Sequence, residues 1–131
     1  PTEAEWEYSG RAGAEHIYAG SDDPEEVAWY SEYGKKRKTT EPVGQKKPNA
    51  WGLYDMSGNI WEWCWDSGIR SYGQAVTDPV YERVDKTRMC RGGSYGESMK
   101  NRSLSCRDKQ DVTSKYRLGF RFARMRNGGD T

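Results

Sequence analysis

The stretch Pro48-Asn49-Ala50-Trp51-Gly52-Leu53-Tyr54-Asp55-Met56-Ser57-Gly58-Asn59-Ile60-Trp61-Glu62-Trp63 decides how the chain folds. Pro48-Asn49 keeps its start irregular and Gly58 supplies a turn. From Ile60 the pattern changes. In Ile60-Trp61-Glu62-Trp63-Cys64-Trp65 the three tryptophans share one face of an extended segment, while Ile60, Glu62 and Cys64 share the other, which predicts a strand.

Downstream, Arg88-Met89-Cys90-Arg91 reads as a short strand that stops at Gly92-Gly93. Leu118, Phe120 and Phe122 alternate with Gly119, Arg121 and Ala123, predicting a terminal strand with both phenylalanines on its core face. Between these strands, residues 94–117 are polar and turn-rich, and they read as surface. Upstream, Thr2-Glu3-Ala4-Glu5 is a capping box, and Ala4, Tyr8 and Ala12, widened by Trp6, recur at helical spacing until Gly10 and Gly13. Residues 20–49 show little periodicity, and Lys35-Lys36-Arg37-Lys38 reads as a solvated loop. The sum is an α+β domain with one N-terminal helix, short antiparallel strands and much irregular loop. A chain that opens on a helix cap is expected to be the C-terminal part, over residues 1–131, of one domain with a further portion upstream.

A length of 131 residues fits one domain. Six Trp, nine Tyr and two Phe stand against few Leu, Ile and Val, so burial falls to large rings whose N–H and O–H groups need partners. Lys and Arg number 21 against 20 Asp and Glu, a net charge of +1. That balance supplies no general field for nucleic acid or an anionic membrane, and no nucleic-acid partner is expected. No apolar run approaches the ~18 residues of a transmembrane segment. Cys64, Cys90 and Cys106 are odd in number and match no zinc spacing, so they read as small buried hydrophobes. His16, the single histidine, leaves little from which to build a histidine-held metal or a Ser-His-Asp triad.

Four motifs occur in order: Pro1-Thr2-Glu3-Ala4-Glu5-Trp6-Glu7-Tyr8, the stretch 48–63, Arg91-Gly92-Gly93-Ser94-Tyr95 and Leu118-Gly119-Phe120-Arg121. Together they resemble the formylglycine-generating enzyme (sulfatase-modifying factor) family, from residue 1 to about residue 123. The resemblance implies a C-type-lectin-like fold. The family's founding activity oxidises a sulfatase cysteine to formylglycine, using two copper-binding cysteines placed two and seven residues after the aromatic of the Gly-Gly-Ser-aromatic motif. Glu97 and Arg102 hold those positions here. Neither side chain is a thiolate, a copper ligand or a redox partner, so no copper and no formylglycine-generating activity are expected. The resemblance also implies one structural Ca²⁺, held by the side chains of Asp55 and Glu62 and the carbonyls of Gly58 and Ile60, a set of hard oxygen donors. A second family calcium site near Val27-Ala28 is expected to be lost, because the loop after it carries the basic run.

A scaffold kept without its catalytic pair suggests a non-catalytic ligand-binding protein. Within residues 94–117, the candidate contacts are Tyr95, Glu97, Ser98, Lys100, Asn101, Arg102, Asp108, Gln110 and Tyr116, with Tyr and Arg as anchors and Ser and Asn as adaptable groups. The partner would be an unidentified protein or small molecule. This stretch lies where the variable proteins of diversity-generating retroelements, a subset of the family, carry their mutated segment. That resemblance implies a diversified receptor, extracellular or at the cell surface. Should the stretch not bind, the loop over residues 20–40 is the next candidate. The alternatives are an oxidoreductase-type enzyme of the same family whose chemistry comes from other residues, and an accessory subunit of a surface assembly.

Overall fold

A computed structural model describes residues 1–68, 77, 79–83 and 86–124. Helix α1 (Glu3–Arg11) starts at the expected capping box: the Thr2 hydroxyl accepts from the Glu5 N–H at 3.2 Å and the Glu5 carboxylate accepts from the Thr2 N–H at 2.8 Å. Ala12, left-handed at φ 47°, ends it by donating its N–H to the Tyr8 carbonyl. A second helix of one turn, α2 (Pro24–Val27), is capped by the Asp23 carboxylate and has Pro24 in its first turn.

Strands β1 (Ala28–Trp29) and β2 (Ser57–Gly58) pair in parallel. The main sheet has the order β5-β4-β3-β6, with β3 (Trp61–Trp63), β4 (Thr87–Arg91), β5 (Arg107–Asp111) and β6 (Leu118–Gly119). β4 is antiparallel to both β3 and β5, whereas β6 joins β3 in parallel. The α+β class is the expected one, and the sheet is mixed. Among the described residues no helix is long and apolar enough to cross a membrane.

Two buried clusters fill the interior. One gathers Trp6, Ala19, Met56, Cys64, Met89 and Leu104; the other Tyr18, Val27, Ala28, Tyr30 and Met99. The rings find polar partners as their chemistry requires. Trp6 Nε1 donates to Glu62 at 2.6 Å, the Tyr18 hydroxyl to the Met99 carbonyl at 2.9 Å and the Tyr30 hydroxyl to Glu25 at 2.8 Å. Cys64 and Cys90 are buried; burial drives the Cys64 thiol far up and the Cys90 thiol to about 12, so both stay protonated.

Three expectations are corrected. Trp65 does not share a buried face with Trp61: β3 ends at Trp63, and the exposed Trp65 donates its Nε1–H to Glu82. Phe120 and Phe122 are not core residues but are 68% and 90% exposed. β6 holds two residues only, and past it Arg121 turns back to Glu62, leaving the phenylalanines edge to face with each other at 5.3 Å. Residues 94–117 are not uniformly surface either. They contain a 3-10 turn (Met99–Asn101) and strand β5, and they bury Ser94, Met99 and Leu104.

Candidate functional site

The two positions that the resemblance links to catalytic cysteines hold an ion pair. Arg102 Nε lies 3.6 Å from Glu97 Oε2, which also accepts from the Ser94 N–H at 3.2 Å. The Arg102 guanidinium lies over the buried ring of Trp61, 5.1 Å from its centroid.

Beside this pair two segments meet. The Ser31 N–H donates to the Glu97 carbonyl at 3.0 Å, the Ser31 hydroxyl donates to the Tyr95 carbonyl at 2.8 Å, and that same hydroxyl oxygen accepts from the Arg37 N–H at 2.8 Å. One serine thus fastens the 31–37 loop to residues 95–97. The junction borders an open surface cavity of about 480 Å³, with Ser31, Glu32, Tyr33, Lys36 and Arg37 on one side and Gly96, Ser98 and Arg117 on the other. Arg37 stacks on Trp29 at 4.4 Å and pairs through Nη1 with Glu41 at 2.7 Å. Arg117 stacks on Tyr95 at 4.9 Å and Tyr116 at 4.6 Å.

Of the candidate contacts, Tyr95, Ser98 and Tyr116 therefore gather around Arg117 and the cavity. Glu97 and Arg102 pair next to them. Lys100 is exposed on the 3-10 turn, and the side chain of Asn101 lies outside the described residues. Asp108 and Gln110 sit instead on β5, opposite Cys90 and Arg88, and bond to each other at 3.3 Å. Lys36 and Arg37 belong to the basic run read as a solvated loop, within the 20–40 segment that is the second binding candidate, and Arg117 is not among the candidate contacts. The basic run was the available signal for the first two; for Arg117 it was the tyrosine before it.

The residues expected to hold calcium lie on the turn into β3. Asp55 Oδ2 accepts from the Gly44 N–H at 2.8 Å, while its Oδ1 is buried without a hydrogen-bond partner. Glu62 takes three donors: Trp6 Nε1 and Arg121 Nε on Oε2, and Arg121 Nη2 on Oε1, each at 2.6 Å. A carboxylate offers about four lone-pair sites, so one remains on Oε1. Arg121 also donates to the Tyr54 carbonyl at 3.0 Å, and its proton is held by Glu62 and Asp55 against the opposing effect of burial. Among the described residues no cluster of three or more His, Cys, Asp or Glu side chains could hold a metal. The partnerless Asp55 Oδ1 is a hard oxygen donor of the kind Ca²⁺ takes, while Glu62 is held by Trp6 and Arg121 and the Gly58 carbonyl accepts from the Ile60 N–H at 2.9 Å.

Comparison with known proteins places this geometry. Residues 1–126 match the family described as the sulfatase-modifying factor enzyme 1-like domain. The chain is 45% identical to a chaperone protein, LppX, of Paenibacillus barcinonensis, over 86% of this chain and 43% of that protein. It is 34% identical to the formylglycine-generating enzyme of Streptomyces coelicolor, over 94% of this chain and 45% of the enzyme. Among solved structures, Treponema denticola variable protein 1 superposes with a TM-score of 0.79 at 34% identity, covering 92% of this chain and 45% of that one. The chain thus spans a little under half the length of these relatives.

Proposed function

The chain belongs to the sulfatase-modifying factor family, and on that premise we propose that it is a non-catalytic binding member, recognising a protein or small-molecule ligand through residues 94–117 together with the 31–37 loop. The observation that carries this reading is the Glu97–Arg102 pair, 3.6 Å apart where the resemblance expects the catalytic cysteines. A carboxylate paired with a guanidinium supplies no thiolate, no soft copper ligand and no redox couple. Next to the pair, Tyr95, Tyr116 and Arg117 form the kind of aromatic and arginine surface that dominates binding hot spots. Similarity to a variable protein and to a relative named as a chaperone supports a binding role. A diversified receptor at the cell surface is the finer form of the same reading. Asp55 and Glu62, with the carbonyls of Gly58 and Ile60, hold one structural Ca²⁺ that stiffens the turn into β3.

Two measurements test the binding role. Incubation with a cysteine-bearing sulfatase peptide, copper and oxygen leaves the peptide mass unchanged; conversion of its cysteine to formylglycine overturns the reading. Panning against a random-peptide display library enriches peptides on the native chain that are lost on the Tyr95→Ala/Tyr116→Ala variant at an unchanged circular-dichroism spectrum. Enrichment that survives this variant places binding elsewhere and overturns the assignment to residues 94–117.

A further inference from the structure

We propose that the cavity between the 31–37 loop and residues 96–98 is an oxyanion site, which takes the carboxylate, sulfate or phosphate group of a ligand between Lys36, Arg37 and Arg117. This rests on the reading that the face binds a ligand, and adds the ligand's chemical class. The charged groups lining the cavity are these three cations and one carboxylate, Glu32. Among the described residues only Arg37 has a carboxylate partner, Glu41, which lies outside the lining.

Arg117 is the central observation. Its guanidinium is stacked on two tyrosines, has no hydrogen-bond acceptor among the described residues, and has its Nε buried without a partner. Arg37 Nε is likewise buried without a partner, although the rest of that guanidinium is fixed by Trp29 and Glu41. The Nε atoms are sealed from a ligand, but Arg117 Nη1 and Nη2 are not buried and have no acceptor among the described residues, and an oxyanion supplies the oxygen atoms that such a guanidinium edge matches best.

The backbone is arranged around this side chain. A Cβ on Gly96 would stand 2.0 Å from Arg117 Nη1, so only glycine lets the guanidinium lie there. Arg117 itself adopts φ 56°, a left-handed conformation uncommon outside glycine, and such strain clusters at functional positions. The Ser31 bonds hold the two walls in register, and the ring contacts of Arg37 and Arg117 position those two cations before any ligand arrives.

An NMR titration of the full chain with sodium sulfate, sodium phosphate and sodium acetate, each matched by sodium chloride at equal ionic strength, tests the site. Saturable shifts are expected at the amides of Ser31, Arg37, Gly96 and Ser98 with at least one oxyanion and not with chloride; the order among the three salts identifies the group. Arg117→Met weakens binding at least tenfold. Because Arg117 packs between two rings, the exposed Lys36→Met is the second variant, expected to weaken binding several-fold at an unchanged melting temperature. Shifts that grow linearly and equally in chloride, or saturable shifts that neither variant weakens, overturn the oxyanion site. Peptide enrichment that depends on Tyr95 and Tyr116, found together with no oxyanion binding, overturns the ligand class alone and leaves the binding face in place.

Discussion

Glu3 and Arg91, eighty-eight positions apart in the chain, meet at 2.8 Å with side chains 0% and 3% exposed. The pair joins the first turn of α1 to the last residue of β4, and it does not stand alone. Glu3 also receives the Arg107 guanidinium from β5, while Arg91 reaches Glu7 at 2.6 Å and the Leu104 carbonyl at 3.0 Å. Helix, sheet and the 94–117 segment are thus tied at one buried carboxylate.

Removing that carboxylate's charge leaves two guanidinium groups short of a partner. Glu3→Gln keeps the volume, and by the usual cost of breaking a buried pair it lowers the unfolding free energy by about 3–5 kcal/mol. Urea denaturation measures this. A loss below about 1 kcal/mol would mean that Glu7 and the Leu104 carbonyl compensate fully, in the range of an exposed pair.

Glu7 gives the same junction a pH dependence. Partial burial pushes its pKa upward, but hydrogen bonds and charge from Arg11 and Arg91 outweigh this and hold it below its ordinary 4.5. A folded pKa below the unfolded one means that the contribution is complete above pH 4.5 and fades as the pH falls through the lower, folded value. The melting temperature should drop on acidification below that point. Glu7→Gln should start lower at neutral pH and show a shallower acid decline; parallel curves for the two proteins would remove Glu7 as a source.

The Ca²⁺ proposed at Asp55 and Glu62 would bind the folded state only. A free concentration about 100-fold above Kd adds ~2.7 kcal/mol of stability, which a chelator removes. Glu62→Gln loses part of its contact with Arg121 as well, so its lower baseline carries no information about metal. The informative result is the response to chelator: a fall in melting temperature for the native chain and none for Asp55→Asn or Glu62→Gln. A native melting curve indifferent to chelator rules out a stabilising ion there.

What the sequence announced was local. The capping box at Thr2 and Glu5 and the extended segment at 60–65 depend on neighbours in the chain; the cap formed as read, and the strand formed over Trp61–Trp63 only, with both Trp61 and Glu62 buried. Strand β5 did not announce itself, because Arg107-Asp108-Lys109-Gln110-Asp111 contains no apolar residue to alternate. Pairing with β4 from Thr87 to Arg91, and the pull of Glu3 on Arg107, place it there. The candidate site was half legible for the same reason. Tyr95, Ser98 and Tyr116 lie in the polar stretch singled out from the sequence, but Lys36 and Arg37 join them only through the bonds of Ser31, which no periodicity reveals.

Residues 94–124 therefore divide by burial rather than by polarity, and substitution to alanine should expose the division. Phe120 and Phe122 touch each other in solvent, so either one cut to Ala forfeits an edge-to-face contact worth about 0.5–1.5 kcal/mol and leaves no cavity. Met99, 1% exposed in the second core cluster with Tyr18 and Val27, lies inside the stretch that looks like surface. Its replacement by Ala removes buried methylenes and leaves a void that the surrounding rings cannot fill, a loss of about 2–5 kcal/mol. Met99 also anchors the site through its carbonyl, which accepts from the Tyr18 hydroxyl. Thermal denaturation of the three variants should rank Met99→Ala well below both phenylalanine variants. The reverse order would mean that the two phenylalanines are covered in solution, and that the aromatic face beyond β6 is an interface.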